Sequence, residues 1–238
     1  MIAGAEGVLR RDVELVQIVD AAFADAARRS GPHLVCRPGC TQCCHGAFAI
    51  HALDALRLRH AMSDLSASDP ALAARIRERA RRYLAEFGSS FPGDPVSGTL
   101  DTSEAAQEAF EEFANEAACP ALNPETGLCE VYEARPMTCR VFGPPVRAAA
   151  DDAGDDLEGD TEGLAVCELC FTEATPEEIA AAEMRVPHAE EARLLQELAA
   201  LDQASPSHET VGETAESRES PETIVAYCLV ETPRATAS

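Results

Sequence analysis

Apolar residues recur at helical spacing along much of the chain. In "RRDVELVQIVDAAFADAARRS", Arg10 to Ser30, the positions Val13, Val16, Ile18, Val19, Phe23 and Ala26 form a broadly helical stripe, and Gly31 with Pro32 ends it. The spacing predicts an amphipathic helix leading into a stretch dense in cysteine. Beyond that stretch, "FAIHALDALRLRHAM" opens on a short apolar run and continues as a helix. "DPALAARIRERARRYLAEF" gives another, with Asp69 as N-cap and Pro70 at the first helical position.

Gly88 to Gly98 reads as a loop, and Asp101 followed three residues later by Glu104 is a capping-box variant that starts a helix toward Ala118. "CPALNPETGLCEVYEARPMTCRVFG" sets two short apolar segments around the turn signal "NPETG". It predicts a small hairpin with Cys119 before its first arm and Cys129 in its second. Pro136 bars a helix from running through it and starts a short turn carrying Cys139. Thr175, Pro176 and Glu178 spell a capping box, and a helical pattern runs from His188 to about Gln203.

Asp151 to Glu162 concentrates acids with glycine and reads as a solvated loop; Ser205 to Pro221 is polar, acidic and poor in aromatics, a flexible linker. The apolar "ETIVAYCLVE" then docks back as a strand or short turn. Together these elements predict a mostly helical α+β fold, with helices around a loop-rich cysteine and metal centre and a small β-hairpin. The domain organisation expected is one cysteine-cluster domain over 1–204, followed by a flexible acidic linker and docking tail over 205–238.

Composition narrows the function classes. The 42 acids against 19 bases give a formal charge of -23, which disfavours nucleic acid or an anionic membrane as partner. All 19 bases are arginine, so a P-loop lysine, a Schiff-base lysine and a kinase-type lysine are excluded. The first twenty residues carry no continuous apolar run after basic residues and do not read as a secretory signal. No transmembrane stretch occurs either, and a soluble, cytoplasmic protein is expected. In a reducing compartment, 10 cysteines point to metal or redox chemistry sooner than to disulfides.

The cysteines fall into groups: Cys36, Cys40, Cys43 and Cys44; then Cys119, Cys129 and Cys139; then Cys167 and Cys170; and Cys228 by itself. The first nine are the candidate metal ligands. Cys40 with Cys43, and Cys167 with Cys170, have the two-residue spacing that lets both sulfurs converge on one ion. Side chains of neighbours tend to diverge, so Cys43 and Cys44 favour two metal centres or a multinuclear cluster. Packing as a small hydrophobe accounts for Cys228 but poorly for four cysteines beside Pro38 and Gly39. A thioredoxin-type pair wants a strand before it and a helix opening on it. Sulfur-only ligation selects zinc or an iron–sulfur cluster over hard cations.

"CRPGCTQCCHG" followed at a distance by "CPALNPETGLCEVYEARPMTCRVF" resembles the YkgJ-type cysteine-cluster family, the CxxCxxCC zinc- or iron-chelating domains. The first block has one extra residue between its first two cysteines. The second matches through Cys119, Leu122, Gly127, Cys129, Tyr132, Arg135, Pro136, Cys139 and Arg140. The resemblance implies metal binding by these cysteines and names no reaction.

Arg135 and Arg140 are expected to offset thiolate charge and hydrogen-bond the sulfurs; for Arg135 a salt bridge to Glu130 or Glu133 is the competing expectation. His33 and His45 flank the first block and read as surface residues sooner than ligands. The arginines of "RIRERARRY" wrap around their helix and pair with acids instead of forming a stripe for RNA. Asp151, Asp155 and Glu162 lack the glycine of a calcium loop. The reading is a cysteine-ligated metal-binding protein, with a metal ion as the expected partner and a protein partner left open. An iron–sulfur-dependent redox or group-transfer enzyme and a zinc-stapled interaction adaptor are the alternatives.

Overall fold

A computed structural model of the chain describes residues 5–147, 163–203 and 221–230. It is a mostly helical α+β structure with two small antiparallel sheets of two strands each. The acidic loop expected at 151–162 and the linker expected from Ser205 lie outside the described residues, apart from Pro221. The chain divides into two compact units: Met1–Pro38 with Met137–Gly212, and Gly39–Pro136 with Glu213–Ser238.

The first unit is built on α1 (Ala5–Ser30), which packs against α5 (Met137–Val141), α6 (Pro176–Ala181) and α7 (His188–Gln203). Val8, Leu15, Val19 and Ala26 recur at seven- and four-residue steps and form its buried face. Val13 and Ile18, expected in that stripe, are each 54% exposed, while the charged Asp12 is buried in it. Helical phase explains this, since Val13 and Ile18 stand off the line through Val8, Leu15 and Val19. Arg11 on α1 forms an ion pair with Glu197 on α7. The predicted capping box opens α6: Thr175 Oγ1 accepts from the Glu178 N–H, and Glu178 accepts from the Thr175 N–H at 2.8 Å. Strands β3 (Val146–Arg147) and β4 (Leu164–Ala165) pair antiparallel, and Val146 also bridges Met184.

In the second unit, α2 (Ala52–Ser68) and α3 (Pro70–Phe87) pack together, separated by Asp69. Asp69 ends one helix by donating its N–H to the Leu65 carbonyl and caps the next by accepting from Leu72. Leu58, Met62, Ala73, Ile76 and Ala80 meet at the core. The C-terminal segment is α8 (Val225–Leu229), one turn of helix where a strand or turn is expected, and it packs on α2 and α3 after Thr223 bridges Ile50. The expected loop at 88–98 contains β1 (Gly93–Asp94), which pairs with β2 (Thr99–Leu100). The helix expected to start at Asp101 is α4 (Glu104–Glu111), capped by Ser103 and shorter than predicted. The arginines of α3 are used structurally: Arg79 pairs with Glu130 and the Pro120 carbonyl, Arg77 with Ser66, and Arg82 with Glu78. No described helix is long and apolar enough to cross a membrane.

Candidate metal centre

The second unit carries Cys40, Cys43, Cys44, Cys119 and Cys129. Cys43 and Cys44 sit in a 3-10 turn, Gln42–Cys44, closed by the Cys44 N–H on the Thr41 carbonyl at 2.8 Å. The chain then pairs with residues far along the sequence: Gly46 donates to the Ala117 carbonyl at 2.9 Å, and Cys119 donates to the Cys44 carbonyl at 2.7 Å. That ladder binds the two cysteine blocks to each other through backbone.

From Cys119 the chain turns into the predicted hairpin. Leu122 bridges Cys129, with Asn123 donating to Leu128 and Glu130 to Ala121, both at 2.8 Å. The Asn123 side-chain oxygen accepts from Glu125 and Thr126 within the turn, which is why "NPETG" bends where it does. Gly127 has φ +67°, in the left-handed region, and faces Gly39 and Thr41 so closely that a Cβ there would sit 3.5 Å from the Gly39 carbonyl oxygen. The loop carrying Cys40 is thereby held against the loop carrying Cys129.

The thiols are tuned apart. Cys44 hydrogen-bonds Cys43 in its thiolate form, and this outweighs burial to bring the Cys43 thiol down to about 6, with help from the Arg135 charge. The side chains of Cys43 and Cys44 therefore meet instead of diverging. Burial pushes the Cys119 thiol up to about 12 and raises Cys129 as well, Arg135 opposing the latter shift. Arg135 stacks on the Tyr132 ring at 4.1 Å, and its carbonyl accepts from Arg57, which is paired with the buried Asp54. Its expected role of offsetting thiolate charge fits Cys43 and Cys129, while Glu130 pairs with Arg79.

The first unit carries Cys36, Cys139, Cys167 and Cys170. Cys36 lies in an extended, exposed segment after α1, and Cys139 lies on α5. Cys167 and Cys170 flank a turn closed by the Cys170 N–H on the Cys167 carbonyl at 2.8 Å. Burial raises the Cys170 thiol, opposed by backbone hydrogen bonds from Val35 and Cys36, and its side chain hydrogen-bonds Cys167. Gly143, which no sequence signal marked, passes so close that a Cβ on it would lie 3.4 Å from the Cys36 Cβ.

Arg140 is buried and ion-paired with Asp20 on α1, which ties α5 to that helix. His33 stacks on Phe171 at 5.7 Å and faces Glu178, and His45 bridges Ala118 through backbone. Cys228 is buried in the core of α2, α3 and α8. Asp20, Asp54 and Arg57 were missed as supports; the three-residue spacing of Asp54 and Arg57 on one helix is the signal that could have found the pair.

Among the described residues, no three His, Cys, Asp or Glu side chains are gathered as a ready-made metal site. The donor chemistry nevertheless fits a soft cation: thiols with backbone N–H groups, and in the second unit an arginine, beside them. Burial first, and then neighbouring thiols, raise Cys119, Cys129 and Cys170, and a bound cation would supply the charge that stabilises their thiolates. Comparison with curated proteins and with solved structures found no match. The model of the CxxCxxCC family, described as "Putative zinc- or iron-chelating domain", matches residues 35–171. That span is more than half of the chain and holds nine of its cysteines, and the chain belongs to this family.

Proposed function

We propose that this protein binds zinc or iron through cysteine thiolates, and that Cys43, Cys44, Cys119 and Cys129, with Cys40 beside them, supply the ligands of its second unit. The observation carrying this is the 2.7 Å hydrogen bond from the Cys119 N–H to the Cys44 carbonyl, which joins the backbones of the two cysteine blocks. Metal ligation staples these loops beside the apolar core of α2, α3 and α8, and the ligands lose their protons as the ion binds. Arg135 offsets part of the negative charge that the sulfurs gather. We place the protein in a reducing, cytoplasmic setting, where thiols stay available. Its acidic balance argues against nucleic acid and anionic lipid as partners.

The test is purification of the full chain without oxygen, followed by metal analysis, a visible spectrum and thermal unfolding with and without chelator. Stoichiometric metal and a lower Tm in chelator are expected. Colourless zinc protein selects zinc; a brown protein with acid-labile sulfide selects an iron–sulfur cluster. A metal-free protein whose unfolding ignores chelator overturns the reading.

A further inference from the structure

Apart from the core residue Cys228, the cysteines not used by that centre are Cys36, Cys139, Cys167 and Cys170, and these four belong to the other compact unit. The division cuts the first cysteine block between Pro38 and Gly39, leaving Cys36 on one side and Cys40, Cys43 and Cys44 on the other.

Several contacts set the chain segments that bear the four against one another within their unit. Cys167 and Cys170 share a hydrogen bond between side chains across a turn of ligand-type spacing. The backbone of Val35 and Cys36 hydrogen-bonds the Cys170 sulfur, so the segment bearing Cys36 is laid directly over that turn. Gly143 follows Cys139 by four residues and abuts Cys36, where a Cβ would come within 3.8 Å of the sulfur. The Arg140–Asp20 pair fixes the short helix bearing Cys139 against α1. Hydrophobic packing accounts for Cys170, which is buried with Phe171 and Ala182, and in part for Cys167, which packs against them, but not for the exposed Cys36.

We infer that Cys36, Cys139, Cys167 and Cys170 form a second four-thiolate centre of their own for a thiophilic divalent cation, zinc or iron(II). This rests on the proposed metal binding by the chain's cysteines and adds how many centres there are and which thiols share one. Ligation replaces the thiol protons with the ion and involves no change of oxidation state.

The experiment uses the full-length protein reconstituted anaerobically with zinc. Cys167→Ser/Cys170→Ser should lose the zinc of one centre and keep that of the other, and Cys36→Ser should lose the same portion. Cys119→Ser/Cys129→Ser should lose the complementary portion. Full retention of zinc by Cys167→Ser/Cys170→Ser, or its complete loss, overturns the separate centre while leaving metal binding by the chain intact. Cadmium NMR of the unmutated protein gives a reading that needs no variant to fold. Separate resonances in the all-sulfur range, one per centre, are expected, and a single resonance overturns the inference. Failure of the unmutated protein to take up either metal would overturn the proposed function as well.

Discussion

Arg140, with only 1% of its side chain exposed, donates from one guanidinium nitrogen to both carboxylate oxygens of Asp20, at 2.8 and 2.9 Å. Removing the acid leaves a buried cation short of a partner. Asp20 keeps 43% of its side chain in water, which moderates the effect, and Asp20→Ala should cost about 1.5–3 kcal/mol in denaturant unfolding. Asp25→Ala, which breaks exposed, solvent-screened pairs with Arg28 and Arg29, should cost clearly less. Equal losses would mean that the buried pair does not anchor α5.

The Glu178 carboxyl is held below its usual 4.5, first by the Thr175 N–H and then by the nearby His33. A depressed folded-state value means its stabilisation is present above the unfolded value and disappears as pH falls through the folded one. The Tm advantage of the native protein over Glu178→Gln should therefore be full at neutral pH and shrink only below about 4.5. A difference that stays constant through the acid range refutes the capping role.

Gly127 adopts φ +67°, where a side chain is strained whatever the space around it. Gly127→Ala should destabilise by about 1–2 kcal/mol, and Gly127→Asn by less because asparagine tolerates that conformation. Chemical denaturation of both variants checks the order. A stable Ala variant would show that the 123–128 turn relaxes freely.

Burial pushes the Cys228 thiol up to about 11, in an apolar core with no other described cysteine role assigned to it. Cys228→Ala should leave metal content unchanged and cost about 1 kcal/mol for the lost sulfur contacts. Metal loss in this variant, measured by elemental analysis, would place it among the ligands.

What could be read from the residues was largely local. Asp69 with Pro70, and Thr175 with Pro176 and Glu178, start helices where their side chains reach backbone N–H groups within one turn. The "NPETG" turn is equally self-contained. The pairing of Arg140 with Asp20 was not legible because Asp20 lies 120 residues earlier, and nothing near Arg140 names that partner. The exposed Val13 and Ile18 were misjudged because periodicity offers several stripes and only the packed neighbours choose one. The division of the cysteines escaped for a similar reason, since "CRPGC" reads as one motif although the boundary runs through it.

Each compact unit takes its residues from two separated stretches of chain, and the stretches alternate. During synthesis the first unit stays open until α7 has emerged, and the second until α8 has, after residue 225. Neither unit exists as a contiguous fragment that could be expressed by itself. Throughout most of translation the cysteines of both groups are therefore on a nascent chain in which neither unit has all of its parts.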